Sequence, residues 1–351
     1  RAAPAITPYR LAQIVIGLLF LAFLGWRLYV VLVVKQLYGP DTWVRFAISG
    51  LILGGVYAVI AIGYTLVYGI LFMINFAHGE VLMLGAFAGY FVLEAFGASG
   101  FLNSQPVFSI LIAFVIGACV SMVSGILLER IAYRALRTAP RLIPLISAVG
   151  ASLFLQNAAQ LMFSPVRRSY QNPDILARGT GWIVTVGGKD VIITYTGVLT
   201  FVISILLMVG LWLFVQRTKM GKAMRAVAEN KKIAALMGIN VDAVISQTFA
   251  ISGLLAGAAG VLWGLHNGIV YHYVGFVPGI KAFTAAVLGG IGNIPGAMLG
   301  GMFLGLTESL GPAALGMDFQ LKDVLAFSIL VLVLIFRPTG LLGEVLSEEK
   351  A

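Results

Sequence analysis

Charged residues are scarce in this 351-residue chain: Asp, Glu, Lys and Arg together make up 11% of it. A soluble globular protein carries roughly 25% charged residues, because its surface must be polar enough to face water. Apolar residues reach 60%, in runs too long and continuous for the alternating strands of an outer-membrane barrel. The composition therefore predicts an all-α polytopic membrane protein.

Cysteines, metal-binding motifs and phosphate-binding motifs are also lacking. Cys119 is the only cysteine, which excludes an intrachain disulfide and a CxxC metal site. There is no GxxxxGK[ST] loop, so the chain is not expected to hydrolyse ATP by such a loop. The histidines are too scattered to predict a metal site: His78, His266 and His272. The GASG sequence at 97–100 is similar to a motif of intramembrane serine proteases, but it lies in a short loop, and an enzyme is not expected.

Ten apolar stretches predict membrane segments, since about 20 apolar residues cross a bilayer as a helix. We expect about 8–10 transmembrane helices, some of them short or broken, in one transmembrane domain over 1–351. The stretches are 11–34, 46–71, 79–96, 107–128, 142–163, 194–216, 244–266, 279–291, 295–312 and 322–336.

Lysine and arginine are unevenly distributed between the two sides that these spans define. Basic residues collect on the cytoplasmic side of membrane proteins. Alternating spans place fourteen of the 23 on the side of the links 129–141 and 217–243, and six on the opposite side. This split predicts that both links and both termini are cytoplasmic. It also accounts for the net charge of +9 without nucleic acid binding.

Two links are long enough to have structure of their own. The external loop 164–193 is expected to contain a small hairpin around Val186–Val191, with Gly187-Gly188 as its turn. The cytoplasmic segment 217–243 has helical spacing of apolar residues between charged ones. Such a helix either rests on the lipid surface or docks on a cytoplasmic partner. Its apolar positions are Met224, Val227, Ile233, Leu236 and Met237.

Polar residues and glycines come together at two interruptions of the apolar pattern, 73–80 (MINFAHGE) and 289–296 (GGIGNIPG). Non-helical backbone within a membrane persists only where it is buried in protein or lines a wet cavity, and paired breaks indicate a transport pathway. Ordinary turns outside the membrane are the alternative. A weak similarity between 49–55 and 252–258, in spans of opposite direction, is compatible with an inverted repeat.

Ionisable residues are rare within the spans, because a charge inside the membrane is costly. They are Glu80, Glu94, Lys281, Glu308 and, at the edge of a span, Asp323. A buried carboxylate such as Glu80 or Glu308 could serve an ion-coupled carrier, so secondary transport is one hypothesis.

Several long strings closely resemble the permease of branched-chain amino acid ABC importers, the LivH type. The resemblance covers roughly 46–343 and leaves out an N-terminal helix in 1–40 and the loop 164–193. The strings are GGVYAVIAIGYTLVYGI (54–70), MINFAHGEVLMLGAF (73–87), LISAVGASLFLQN (145–157), AENKKIAALMGIN (228–240), KAFTAAVLGGIGNIPGAMLGG (281–301) and RPTGLLG (337–343).

This resemblance implies a transport subunit in the bacterial inner membrane that has no ATPase site and no bound cofactor of its own. It implies a homologous second permease as partner, expected as a heterodimer. Two cytoplasmic ATPase subunits would use ATP and magnesium, and a periplasmic substrate-binding protein would dock outside. The cargo would be branched-chain or related amino acids, moved by alternating access. Urea, short amides or a sugar are alternative cargoes within the same class.

The candidate site residues fall into two groups. A substrate pathway is expected at Asn75, His78, Gly79, Glu80, Thr284, Gly290, Gly292 and Asn293. The segment 217–240 would be the coupling segment that enters a groove of the ATPase, and it approximates the EAA…G pattern of many importers. Its candidate contact residues are Arg225, Glu229, Asn230, Ala234, Leu236 and Gly238.

Overall fold

A computed structural model describes residues 8–137, 139–140, 142–337 and 339–343. Arg1, Arg141 and Lys350, which entered the prediction of sidedness, lie outside these ranges, as do both chain ends. The described chain is mainly helical, with two small two-stranded sheets, and the expected all-α polytopic class is confirmed.

Thirteen α-helices lie in the described residues, and ten of them coincide with the ten predicted stretches. Eight of these segments are long and apolar enough to cross a membrane, whereas α11, with 14 residues, is too short and the glycine-rich α12 is not among the eight. The helices are α1 Pro8–Tyr29, α2 Pro40–Leu71, α3 His78–Ala98, α4 Phe101–Ser104, α5 Pro106–Leu128, α6 Leu142–Phe163, α7 Tyr195–Arg217, α8 Lys219–Glu229, α9 Lys231–Leu236, α10 Val241–Asn267, α11 Phe276–Gly289, α12 Ile294–Leu315 and α13 Lys322–Phe336.

Helices α2 and α10 form the centre of the bundle, with most of their residues buried. Glycines let the neighbouring backbones approach closely. A Cβ added at Gly54 of α2 would lie 2.9 Å from the Cα of Met302 in α12, and one added at Gly257 of α10 would lie 2.6 Å from Ser121 in α5. The two similar sequence segments therefore pack against different helices.

Contacts between the links sort the helix ends into two groups. At one end, contacts join the first turns of α2, the loop after α3, the loop 164–193 and the backbone after α10. The contacts there are Arg45 to the Asp190 carbonyl, Asn103 to Asp174, and strand Arg168–Ser169 to strand Ile269–Val270. The other end joins Arg137 to Glu129 and Asp242, and Asn293 to the Leu342 carbonyl. This grouping agrees with the alternation of spans that the sequence predicts.

The loop 164–193 contains the hairpin that its glycines predict. Strand Gly181–Val186 pairs antiparallel with Lys189–Thr194, and these are β2 and β3. Gly187 and Gly188 form the turn with φ of 61° and 79°, the left-handed values that a two-residue hairpin turn requires. Arg168–Ser169 (β1) and Ile269–Val270 (β4) form the second small sheet.

The hydrogen bonds of Arg27 explain how the first span accommodates this charged residue. Its guanidinium donates hydrogen bonds to the carbonyl oxygens of Leu315 and Gly316, at the C-terminal end of α12. The last carbonyls of a helix lack partners within that helix and carry a partial negative charge, so a cation there is stabilising. Arg27 thus ties α1 to the bundle.

Candidate functional site

The first break lies inside the bundle. Helix α2 ends at Leu71, Phe72 adopts a left-handed conformation with φ of 56°, and α3 begins at His78. Asn75 is 4% exposed, and its side-chain oxygen accepts a hydrogen bond from the Tyr133 hydroxyl at 2.7 Å. Ala77 is also buried, and the other residues between the two helices are half-buried, so protein covers much of this break.

The contacts of His78 show that α3 begins well inside the bundle. The His78 ring lies against Gly63, which is eight residues before the end of α2, or about 12 Å along the helix axis. His78 Nδ1 is 3.4 Å from the Ser252 hydroxyl of α10, and the Tyr64 ring packs edge-on against the imidazole at 4.6 Å. His78 is 1% exposed. The break thus reaches inward from the end of α2.

Helix α11 begins next to the start of α3. A Cβ added at Gly79 would lie 2.5 Å from the Gly275 carbonyl oxygen and 3.3 Å from the Cα of Gly279. Gly275 immediately precedes α11. The N-termini of two interrupted helices therefore meet within the bundle. Aromatic rings surround the junction, where Tyr64 and Phe76 both contact Phe283.

Glu80 is fully buried on the other face of α3. Its Oε1 accepts hydrogen bonds from the Ser152 hydroxyl at 3.1 Å and from the Gln156 amide at 2.7 Å, both on α6. Glu80 thus connects α3 to α6. Thr284, in α11, is also buried, and its hydroxyl donates to the Ile280 carbonyl one turn earlier.

The second break, between α11 and α12, is closed by the segment 339–343. Leu341 and Leu342 donate backbone hydrogen bonds to Leu288 and Gly289, and the Asn293 amide donates to the Leu342 carbonyl at 2.8 Å. The Asn293 side-chain oxygen also accepts a hydrogen bond from the Gly296 N–H and so caps the start of α12. Gly290 and Gly292 have φ of 107° and 95°. The two breaks bind different neighbours, and their role in one pathway stays a prediction.

A buried ion network, which sequence reasoning did not assemble, links α2, α11, α12 and α13. Lys281 Nζ lies 2.8 Å from Glu308 Oε1 and 2.6 Å from Asp323 Oδ1. Lys322 reaches the same Glu308 oxygen at 3.2 Å, and the Tyr57 hydroxyl donates to its other oxygen at 3.0 Å. Lys281 and Glu308 are buried and compensate each other inside the bundle, as ions within a membrane must. The side chains of Asp323 and Lys322 are 45% and 44% exposed.

The segment 217–243 is not the single helix that its spacing predicts. Helix α8 ends at Glu229, and α9 begins at Lys231, because the Asn230 side chain accepts hydrogen bonds from the N–H groups of Lys232 and Ile233 and caps a new helix. Met224 and Val227 are 3% and 1% exposed. The expectation that Val227 inserts into a partner is therefore wrong, because it packs in the chain's own core.

Three large apolar side chains near the end of α9 are instead exposed: Ile233 by 58%, Leu236 by 86% and Met237 by 77%. We call them the apolar patch. Gly238, with φ of 83°, ends α9, and the Ile239 N–H donates to the carbonyl of buried Ala234. These two features form a Schellman cap, in which glycine is favoured.

The surroundings of the patch are basic. The Arg225 guanidinium donates to the Gln216 side chain, and Glu229 is exposed at the end of α8. Partial burial lowers the pKa of the Lys231 amino group, and the nearby Arg137 guanidinium lowers that pKa further. A partner for this surface would need an apolar groove bordered by acidic groups.

Known proteins with similar sequences cover most of the chain. The family model for "Branched-chain amino acid transport system / permease component" matches residues 46–334. The chain is 48% identical over 297 residues to BraD, a high-affinity branched-chain amino acid transport system permease protein of Pseudomonas aeruginosa, across 85% of this chain and 94% of that protein. It is 45% identical over 299 residues to LivH of Salmonella typhimurium, across 84% of this chain and 94% of that protein. It is 44% identical over 297 residues to LivH of Escherichia coli, across 84% of this chain and 94% of that protein. No solved structure matches the chain.

Proposed function

Because the chain belongs to the family of permease components of branched-chain amino acid transport systems, we propose that it carries branched-chain or related amino acids inward by alternating access. The relatives are components of ABC importers, so the chain is a transport subunit. The observation that carries the proposal is the junction of α3 and α11 inside the bundle.

This junction suits an amino acid. A helix N-terminus carries a partial positive charge, which favours a carboxylate. Transporters with discontinuous helices bind substrates at such termini near the middle of the membrane. The rings of Tyr64, Phe76 and Phe283 would contact an apolar side chain. The two termini now touch, so the substrate enters when α3 and α11 separate.

Adding a methyl group at the junction is expected to stop transport. In Gly79→Ala the new Cβ would overlap the Gly275 carbonyl at 2.5 Å, and overpacking of this kind costs about 1–3 kcal/mol. We expect a loss of uptake of roughly 5- to 150-fold. The control is Gly210→Ala in α7, where an added Cβ meets nothing within 4 Å. Equal uptake by both variants, at matched amounts in the membrane, would remove the junction from the pathway.

The apolar patch is the proposed docking surface for an ATPase subunit. Ile233, Leu236 and Met237 project at the end of the molecule that carries the basic links. Arg225, Glu229 and Asn230 border the patch, and buried Ala234 and Gly238 fix the shape of the turn. In this proposal the core side chains Met224 and Val227 hold α8 against the bundle and transmit force.

The other proposed partners follow from the ABC importer class. A homologous second permease completes the membrane part, expected as a heterodimer, and a periplasmic substrate-binding protein delivers the cargo. Two ATPase subunits supply ATP hydrolysis with magnesium, so this chain needs no cofactor. The loop 164–193, with its hairpin, is on the proposed periplasmic end.

The proposed orientation places both termini and the segment 217–243 on the cytoplasmic side of the inner membrane. It is supported by the excess of basic residues on that side. We expect a reporter inserted near Gln171 to read as periplasmic and one near Lys232 as cytoplasmic. The reverse readings would separate the apolar patch from the ATPase and would contradict the coupling proposal.

Uptake of a panel of cargoes tests the proposed substrate class. The chain would be expressed with its importer partners in cells that lack branched-chain amino acid uptake. We expect labelled leucine, isoleucine and valine to enter, and neither urea nor fructose to compete with them. Competition by fructose or urea at similar concentrations would instead favour the alternative cargoes.

A further inference from the structure

A polar cavity at the end of α5 lies apart from the proposed pathway and the apolar patch. Helices α5 and α10 are in close backbone contact at Gly125, where an added Cβ would lie 2.6 Å from the Phe249 carbonyl. Beyond this point the α5 backbone widens into a π-helical turn at Glu129–Tyr133. The helices separate there around a cavity of about 450 Å³.

The cavity changes character along its length. Arg130 and Arg134 line its outer part, together with Asn240 and Asp242. Ile126 of α5 and Ala250 of α10 line its inner part, further along the membrane-spanning helices. An occupant that fills the whole cavity therefore needs an anionic end and an apolar end.

Positive charge exceeds negative charge in the lining of the cavity and in the ion pairs beside it. Arg137 pairs with both Glu129 and Asp242, and Ser246 also donates to Glu129 at 2.6 Å. Arg134 is 3.6 Å from the same Asp242. Within the described ranges, the Arg130 side chain makes no hydrogen bond or ion pair. Three guanidinium groups thus meet two carboxylates, which leaves room for one anion.

The surface beside the cavity is apolar. Val123, Leu127 and Ile131 of the same helical segment are 50%, 50% and 78% exposed. They lie in a segment that is long and apolar enough to cross a membrane. An acyl chain can lie along them while its headgroup reaches the arginines, whereas a soluble anion would use only the polar half. Basic pockets between membrane helices are suited to anionic headgroups.

We propose that this cavity binds the phosphate headgroup of an anionic phospholipid through Arg130 and Arg134, with an acyl chain along α5. The site links the ends of α5 and α10, whose backbones are in contact further along. A phosphate ester is the shared chemistry of a lipid and a soluble phosphate, and the apolar strip selects the lipid.

Native mass spectrometry of the purified full chain tests the proposal with phosphatidylglycerol as the probe. Each arginine near an anionic headgroup contributes a factor of about five in affinity. Arg130→Gln/Arg134→Gln should therefore weaken retention of phosphatidylglycerol about 25-fold relative to the unaltered chain. The matched control is Arg217→Gln/Lys219→Gln, which removes two exposed charges outside the cavity. It should retain the lipid.

Two further arms make the result decisive. Ala243→Phe fills the cavity without removing a charge, and it should also reduce retention, which separates loss of the site from misfolding of the arginine variant. Soluble glycerol 1-phosphate should not displace the lipid. Undiminished retention in both cavity variants would overturn the proposal, and so would equal competition by glycerol 1-phosphate, which would identify a site for free phosphate.

Discussion

Lys281→Met is expected to destabilise the chain by about 3–5 kcal/mol, because it leaves the buried Glu308 carboxylate without its closest cation. Lys281 and Glu308 are 3% and 2% exposed, so water cannot replace the lost partner. Asp323 loses the same cation. We expect a lower Tm in detergent and a smaller amount of chain in the membrane.

Two companion variants separate the charge effect from a change in packing. Lys322→Met removes a cation whose side chain is 44% exposed, and exposed pairs contribute about 0–1 kcal/mol. Lys281→Met/Glu308→Gln removes both members of the buried pair, and it should recover part of the lost stability. A Tm for Lys281→Met no lower than that of Lys322→Met would show that the network is not a structural connection.

Leu236→Asp is expected to abolish uptake while leaving the chain folded. Leu236 is 86% exposed, so its replacement by a polar residue removes no core contact. Full burial of a leucine in a partner contributes about 1.5–3 kcal/mol. Association with the ATPase should therefore weaken by roughly 10- to 100-fold. The measurement is co-purification of the ATPase, together with substrate-stimulated ATP hydrolysis.

A conservative substitution provides the control for this surface. Leu236→Met keeps an apolar side chain of similar volume and should retain both association and uptake. If Leu236→Asp associates and transports as well as Leu236→Met does, the apolar patch is a surface in contact with lipid or water. The coupling role would then have to be assigned to another cytoplasmic segment.

The helices were predictable because each is encoded locally. A run of about 20 apolar residues specifies a membrane helix wherever it packs, and Gly187-Gly188 specifies a hairpin turn by its own backbone freedom. Gly238 ends α9 with a left-handed backbone that glycine favours. These features depend on a few consecutive residues, and the structure confirms them.

The contacts within the site could not be predicted in the same way. Lys281, Glu308 and Asp323 were identified as rare intramembrane charges, but their pairing depends on how α11, α12 and α13 pack. Asn230 was misjudged for a different reason. The spacing of apolar residues favoured a helix through it, and the side-chain cap that starts α9 outweighed that spacing. The meeting of Gly79 with Gly275 likewise depends on the folding of distant segments.

Accumulation of leucine in proteoliposomes tests the central claim most directly. The vesicles would contain this chain with its second permease, ATPase subunits and binding protein, and ionophores would collapse all ion gradients. We predict that labelled leucine accumulates against its gradient when ATP is supplied on the ATPase side, and that a non-hydrolysable analogue prevents this. Accumulation that needs an imposed proton or sodium gradient and no ATP would contradict the account, because it would identify an ion-coupled carrier.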